Sequence, residues 1–288
     1  MPVYVVDHVA QAASSDASIE FFRVIDHSMQ RAESAGDGAM KIAFDCEGVC
    51  LSRIGTIELV FEDKDDPQLQ SNVFVVDLGR TGPAKLRNER ITALKRVFEC
   101  QSIEKIIHDC RMDCDALYHH CGINVCNVHD TVCFHTTITG ISEKSLNDVL
   151  SHNGLRPNPT RNSEIYKLNP NFWSIRPPTA MMIQWAAADV DRLLTLARLQ
   201  RAALTATAAA QAKRDSMNFA TKSKNMMVEQ NIRLLVDTGR FIGRRGSTIR
   251  DLRNRTGTHI YQDQGNDTWF VHYDNTSSLL QVKRAMGY

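Results

Sequence analysis

Asp45 and Glu47 end the apolar stretch Lys41-Ile-Ala-Phe44 with one residue between them. On a strand, that spacing projects both carboxylates from the same face. Two carboxylates side by side repel unless a cation lies between them, so a fold that buries this strand must also provide for that charge. Two further acids share the constraint, Asp113 in KIIHDCRMDCDAL and Asp189 in QWAAADVDRLLTL. The local patterns predict that one strand and two helices deliver all four to one pocket, and such a cluster binds divalent metal. Asp115 lies off the face of Asp113, and Asp191 off that of Asp189, because helix positions two apart do not face each other, and Asp109 precedes the helix expected at 112–120. A single acid near an element end is usually solvated or capping. Four in this order and spacing are a much stronger signal.

The surrounding pattern predicts an α/β domain. Residues 3–9 read as a short strand, and Ala17 to Glu33 as an amphipathic helix carrying Ile19, Phe22, Ile25 and Met29, closed by the Gly36-Asp37-Gly38 turn. Strands are expected at 41–45, 54–61 and 73–78, a helix at 83–99, a buried strand at 105–108, a helix at 112–120 and a strand at 125–128. Residues 153–178 hold Pro157, Pro159, Pro170, Pro177 and Pro178 and read mostly as loop. Residues 179–214 are rich in alanine and helical in period, which predicts one long helix or two in tandem. Residues 214–227 are polar without clear period and read as a linker. The last 60 or so residues read as a compact α+β unit.

At 288 residues the chain accommodates two unequal domains. No apolar run approaches the ~20 residues that span a bilayer. The amino terminus carries neither a basic signal region nor an Arg-rich amphipathic stretch, so a cytoplasmic or nuclear protein is expected, with no membrane partner. All eight cysteines lie between Cys46 and Cys133, in a chain too large to need disulfides, and reduced, mostly buried thiols are the economical reading. A zinc site from His119, His120, Cys121, Cys126 and His129 is the alternative, but it lacks the CxxC pair that usually accompanies one.

With FDCEG, KIIHDCRMDCDAL and WAAADVDRLLTL in order, and the lead-in Trp173-x-x-Arg176-Pro177 before the third, residues 40–200 resemble the DEDD superfamily of 3′–5′ exonucleases. Within it, the wording resembles the RNase D-like branch and its Egalitarian-type domains. The resemblance implies an RNase H-like α/β fold, a mixed central sheet flanked by helices. It also implies two-metal hydrolysis, in which Mg²⁺ or Mn²⁺ ions ~3.5–4 Å apart stabilise the attacking water and the leaving 3′ oxygen. By that analogy Asp45, Glu47 and Asp189 hold one ion, Asp45 also touches the second, and Asp113 acts mainly through water.

The chain departs from the family at one catalytic position. The RNase D-like branch has a tyrosine four residues before the last aspartate, where this chain has Trp185; the other branch has a histidine five before, where it has Gln184. An indole offers one N–H donor and no acceptor, so it cannot receive a proton from water as a phenol can. Loss of such a group costs ~10² to 10⁴ in rate, so slow or conditional turnover is expected. A binding-only domain, with Trp185 simply packed, is the alternative.

Between Arg233 and Arg255 lie seven arginines and two acids, a local excess of five positive charges suited to phosphates. Within it, Phe241-Ile242-Gly243-Arg244-Arg245-Gly246-Ser247-Thr248-Ile249 fits I-G-x-x-G-x-x-I between a predicted strand and a helix. Gly243 and Gly246 let the backbone approach phosphates, and the helix that follows presents free N–H groups. Over about residues 228–288 this resembles a type I KH domain. The resemblance implies a grip on about four nucleotides of a single strand, with Arg244 and Arg245 at phosphates and Ile242, Ile249 and Ile260 as groove floor or as core.

The expected organisation is therefore an exonuclease domain at 1–213, a linker at 214–227 and a KH domain at 228–288. The expected activity is 3′–5′ hydrolysis of single-stranded RNA. DNA stays open, because nothing in the pocket sequence reads a 2′-hydroxyl. The alternative, from a different class, is an RNA-binding adaptor that recruits protein partners.

Overall fold

The computed structural model describes residues 2–6, 13–35, 38–48, 54–66, 69, 72–79, 84–142, 144–159, 165, 172–222, 227–263, 268–273 and 276–288. They fall in two compact units, Met1–Thr221 and Lys222–Tyr288. Residues 7–9, 36 and 37, placed by the sequence in the first strand and the first turn, lie outside the described residues.

The larger unit is built on a six-stranded mixed sheet in the order β1-β4-β3-β2-β5-β6. Its strands are β1 (Val3–Val6), β2 (Met40–Gly48), β3 (Ile54–Asp63), β4 (Val73–Asp77), β5 (Ile103–Ile107) and β6 (Val128–Asp130). β2 and β4 run antiparallel to β3, whereas β1, β5 and β6 run parallel to their neighbours. β3 is buried along its whole length, as a central strand covered on both faces must be. One face packs under α1 (Ala13–Ala35), α2 (Ala84–Phe98) and α3 (Arg111–Cys121), where Phe21, Ile25, Ile42, Phe44, Leu94 and Leu117 share a core. The other face packs Ala43, Val60, Val73, Val75 and Ile106 under α5 (Leu146–His152), α6 (Ala180–Val190) and α7 (Leu193–Ala202). α4 (Thr131–Thr139) follows β6 directly.

Strand alternation thus fixes which side chains meet which helices. Ala43 faces α6 and α7, so Asp45 and Glu47, two and four residues on, extend the same face. Phe44 and Cys46 turn to the opposite core.

Three sequence expectations need correction. The strand expected at 125–128 lies at Val128–Asp130, pairing Lys105 with Val128 and Ile107 with Asp130. Ile123 and Val125 are buried as their apolarity suggested, but the ladder begins only after Asn127, whose φ of 52° turns the chain. The helical stretch after Thr179 is three helices rather than one or two. The third, α8 (Ala206–Lys222), occupies most of the expected linker, of which 223–226 lie outside the described residues.

The smaller unit is a three-stranded antiparallel sheet in the order β7-β9-β8, of β7 (Met227–Arg233), β8 (His259–Asp263) and β9 (Thr268–Tyr273). α9 (Thr238–Ile242), α10 (Ser247–Thr256) and α11 (Thr276–Met286) cover it over a core of Phe241, Ile249, Leu252, Trp269, Val271 and Val282.

Candidate metal centre and nucleic-acid loop

Asp45, Glu47 and Asp189 converge. Each can offer a carboxylate oxygen such that all three atoms lie within 4.8 Å of one another. β2 supplies the first two from one face, and Glu47 sits beside a register shift that kinks the strand end against β3. α6 supplies Asp189. Its start is fixed by Thr179, whose hydroxyl accepts the Met182 N–H at 3.2 Å, and Ala186 and Ala187 let it lie close to the sheet.

Asp113, on the first turn of α3, stands outside that triplet and is tied to it by the backbone. Its Oδ1 accepts the Cys46 N–H at 3.1 Å. The turn leading into α3 is held from β6, where the Asp130 carboxylate accepts the N–H groups of Asp109 (3.1 Å), Cys110 (2.7 Å) and Val132 (2.8 Å). The neighbouring acids find partners of their own: Asp109 with Arg111, Asp115 with His119, Asp191 with Arg192.

The electrostatics are those of crowded anions. Burial, then Asp113, Asp189, Glu47 and Glu58 in turn, push Asp45 well above the usual carboxylate range. Burial pushes Asp113 up to about 7, with Asp109 and Glu47 adding to it and the hydrogen bond from Cys46 opposing it. Sequence reasoning missed Glu58. It lies directly across the β2–β3 ladder from Asp45 and is fully buried; the signal was an acid inside the apolar run Ile54–Phe61.

An all-oxygen donor set of crowded like charge fits a hard divalent cation. Asp45, Glu47 and Asp189 would hold it. The alternative zinc group does not assemble among the described residues: His129 is buried between Gln200 and Arg201, and the Cys126 thiol points to the carbonyls of Phe98 and Glu99. Of the eight cysteines, the seven described are free thiols.

Trp185 lies one turn before Asp189 on α6 but is only 9% exposed. It packs with Phe172, Trp173, Met182 and Ala186, its ring centroid 5.9 Å from that of Phe172. Arg176 ties this cluster to the sheet, with Nε on Asp77 at 2.7 Å and Nη2 on the Gly55 carbonyl at 2.8 Å. Gln184 is exposed.

In the smaller unit, Gly243 and Gly246 take φ of 74° and 76°, the left-handed region, and enclose Arg244 and Arg245. A Cβ on Gly243 would lie 2.1 Å from the Thr248 hydroxyl, so the turn excludes any side chain there. Both arginines are exposed, beside the first turn of α10. Ile242 is half-buried, whereas Ile249 (6% exposed) and Ile260 (1%) belong to the core.

Comparison with known proteins agrees with this architecture. The KH domain family matches residues 232–282. The fold resembles that of Trypanosoma brucei RNase D, with a TM-score of 0.58 and 21% identity over 76% of this chain and 71% of that one. It also resembles the catalytic core of RRP6 from Trypanosoma brucei, with a TM-score of 0.53 and 19% identity over 76% and 52% of the two chains. No curated protein matches. The 3′–5′ exonuclease family model covers residues 25–201, more than half of the 288, and the chain belongs to that family.

Proposed function

We propose that this protein is a divalent-metal-dependent 3′–5′ exoribonuclease whose KH domain holds single-stranded RNA. The observation that carries the reading is the convergence of Asp45, Glu47 and Asp189 within 4.8 Å, with Asp113 tethered beside them. Two bound Mg²⁺ or Mn²⁺ ions would supply a nucleophile from water at neutral pH and offset charge on the phosphate and the leaving 3′ oxygen. RNA is favoured over DNA by the KH match, and a Trypanosoma brucei RNase D of similar fold is described in complex with RNA U12.

The chain's own residues account for the rest. Asp45 and Glu47 project from a strand that the helices on both faces hold rigid, so the donors are placed before substrate arrives. Trp185 cannot accept a proton and is committed to the Phe172 cluster, so no phenol orients the attacking water. Slow turnover follows. The same burial of Trp185 favours the second reading, an RNA-binding adaptor with an intact acidic cage.

The test is 5′-labelled single-stranded RNA with Mn²⁺ or Mg²⁺, comparing wild type, Asp45→Ala and Trp185→Tyr. A metal-dependent ladder lost in Asp45→Ala, and faster by ~10-fold or more in Trp185→Tyr, is expected. No ladder from wild type with either metal sinks the enzyme reading. A ladder gained only in Trp185→Tyr establishes the adaptor with a cage that lacks its water-orienting group.

A further inference from the structure

Asn158 lies in the proline-rich segment between α5 and α6, flanked by Pro157 and Pro159, and has no place in the acidic motifs. Its side chain nevertheless reaches the metal centre. Asn158 Nδ2 donates to Asp189 Oδ1 at 2.8 Å, and Asn158 Oδ1 accepts from Arg192 Nη1 at 2.7 Å. The amide orientation follows from chemistry alone. A guanidinium can only donate and a carboxylate can only accept, so one of the two amide orientations satisfies both partners and the flipped one satisfies neither.

We propose that Asn158, oriented by Arg192, is a positioning residue that sets the plane of the Asp189 carboxylate for metal binding. A carboxylate on a helix turns about its last torsion at little cost, and that torsion has no sharp rotamer. Anchoring one oxygen removes the freedom. Arg192 adds a second effect, because a cation on the amide oxygen polarises the amide and strengthens the N–H donor at the other end. The backbone of Asn158 is held separately: its N–H donates to Asn147 Oδ1 at 2.7 Å, and its carbonyl accepts from Asn147 Nδ2 at 3.3 Å. Asn147 sits on α5, whose start carries a reciprocal Ser145–Asp148 cap. The segment therefore stays docked when the Asn158 side chain is changed, which makes the side chain's role separable from the loop's.

The inference rests on the metal-dependent reading of the site, and the experiment separates the two. Mn²⁺ is titrated calorimetrically into the full chain for wild type, Asn158→Leu, Arg192→Met and Arg192→Lys, alongside melting of the metal-free proteins and kcat and KM on short RNA. Asn158→Leu should weaken Mn²⁺ binding by about 10- to 100-fold, the range for loss of a hydrogen bond to a metal ligand. Arg192→Met should weaken it less, and Arg192→Lys, which keeps a donor and a charge, should restore most of it. Metal-free melting should be unchanged, and kcat should fall with KM nearly constant. Wild-type Mn²⁺ affinity in Asn158→Leu overturns the relay while leaving the metal site standing. A drop in metal-free stability without loss of Mn²⁺ affinity also overturns it, by making Asn158 a structural group. Absence of Mn²⁺ binding in wild type overturns the metal reading, and the relay with it.

Discussion

His129, buried on β6, has its protonation written into its neighbours. Gln200 Nε2 donates to the Thr131 carbonyl at 2.8 Å, which turns Gln200 Oε1 toward His129 Nε2 at 3.1 Å. That ring nitrogen must carry the hydrogen, leaving Nδ1 to accept from Arg201 Nη2 at 3.3 Å. Burial, with Arg201 next, pushes the pKa of His129 down to about 3. The unfolded chain takes up a proton near pH 6.5 and the folded chain does not, so stability falls as pH drops from 6.5 toward 3. Unfolding by urea at pH 7, 6, 5 and 4 should show a loss of up to ~1.4 kcal/mol per pH unit from this one group. His129→Gln should flatten that slope, and parallel slopes in the two proteins would assign it to other groups. At the same scale, Asp45 and Glu47 were legible because i, i+2 spacing on a strand needs no partner to interpret. Glu58 was not, since its meaning comes from lying opposite Asp45 on another strand. Asn158 was not either, because a segment without period gives no face on which to place a side chain.

Among the elements, α8 shows why a linker was expected where a helix stands. The side chains it buries are small: Ala212, Ser216 and Ala220 recur every four residues and are fully buried. A search for large apolar residues passes over such a stripe, although close approach of a helix requires it. α8 closes the β6 edge of the sheet. Ser216 Oγ accepts the Asp130 N–H at 3.0 Å, and Met217 Sδ takes the Val128 N–H at 3.3 Å. Met217 and Phe219 pack against the core beneath α3, and the Arg111 guanidinium lies 4.8 Å from the Phe219 ring centroid. The strands and the other long helices were readable because alternation and 3.6-residue periodicity are local, whereas an edge cap is defined by what it covers. A fragment ending at residue 213 therefore forgoes two hydrogen bonds and several buried groups relative to one ending at 222. It should be less stable by about 4–6 kcal/mol, from ~1 kcal/mol for each of the two hydrogen bonds and ~1–2 for each of Met217 and Phe219. Denaturant midpoints of the two fragments measure this directly, and equal midpoints would show that α8 is dispensable to the exonuclease unit.

At the scale of the whole molecule the proposed division of labour is electrostatic. The chain is nearly neutral, with a formal net charge of +1, yet its carboxylates crowd in one unit and seven arginines gather within residues 233–255 of the other. On the proposed function an acidic centre would repel a polyanion until metal is bound, so capture of the strand would fall to the KH unit, and a tethered second site would raise local substrate concentration without strengthening either site. Arg244 and Arg245 are exposed on a loop whose turn requires Gly243, so replacing both with Asp changes charge while leaving Phe241, Ile249 and the rest of the core in place. If each arginine neutralises one phosphate, the log–log salt slope for single-stranded RNA should become shallower by about 1.4, at ~0.7 for each phosphate no longer neutralised. The kinetic consequence depends on RNA length. On an RNA long enough to engage both units, the double variant should raise KM by ~10-fold or more, as expected when avidity is lost, with kcat held. On an oligonucleotide too short to leave the exonuclease site, both constants should match wild type. An equal loss on short and long RNA would place the two arginines at the chemistry and not at capture, and an unchanged salt slope would remove them from the interface.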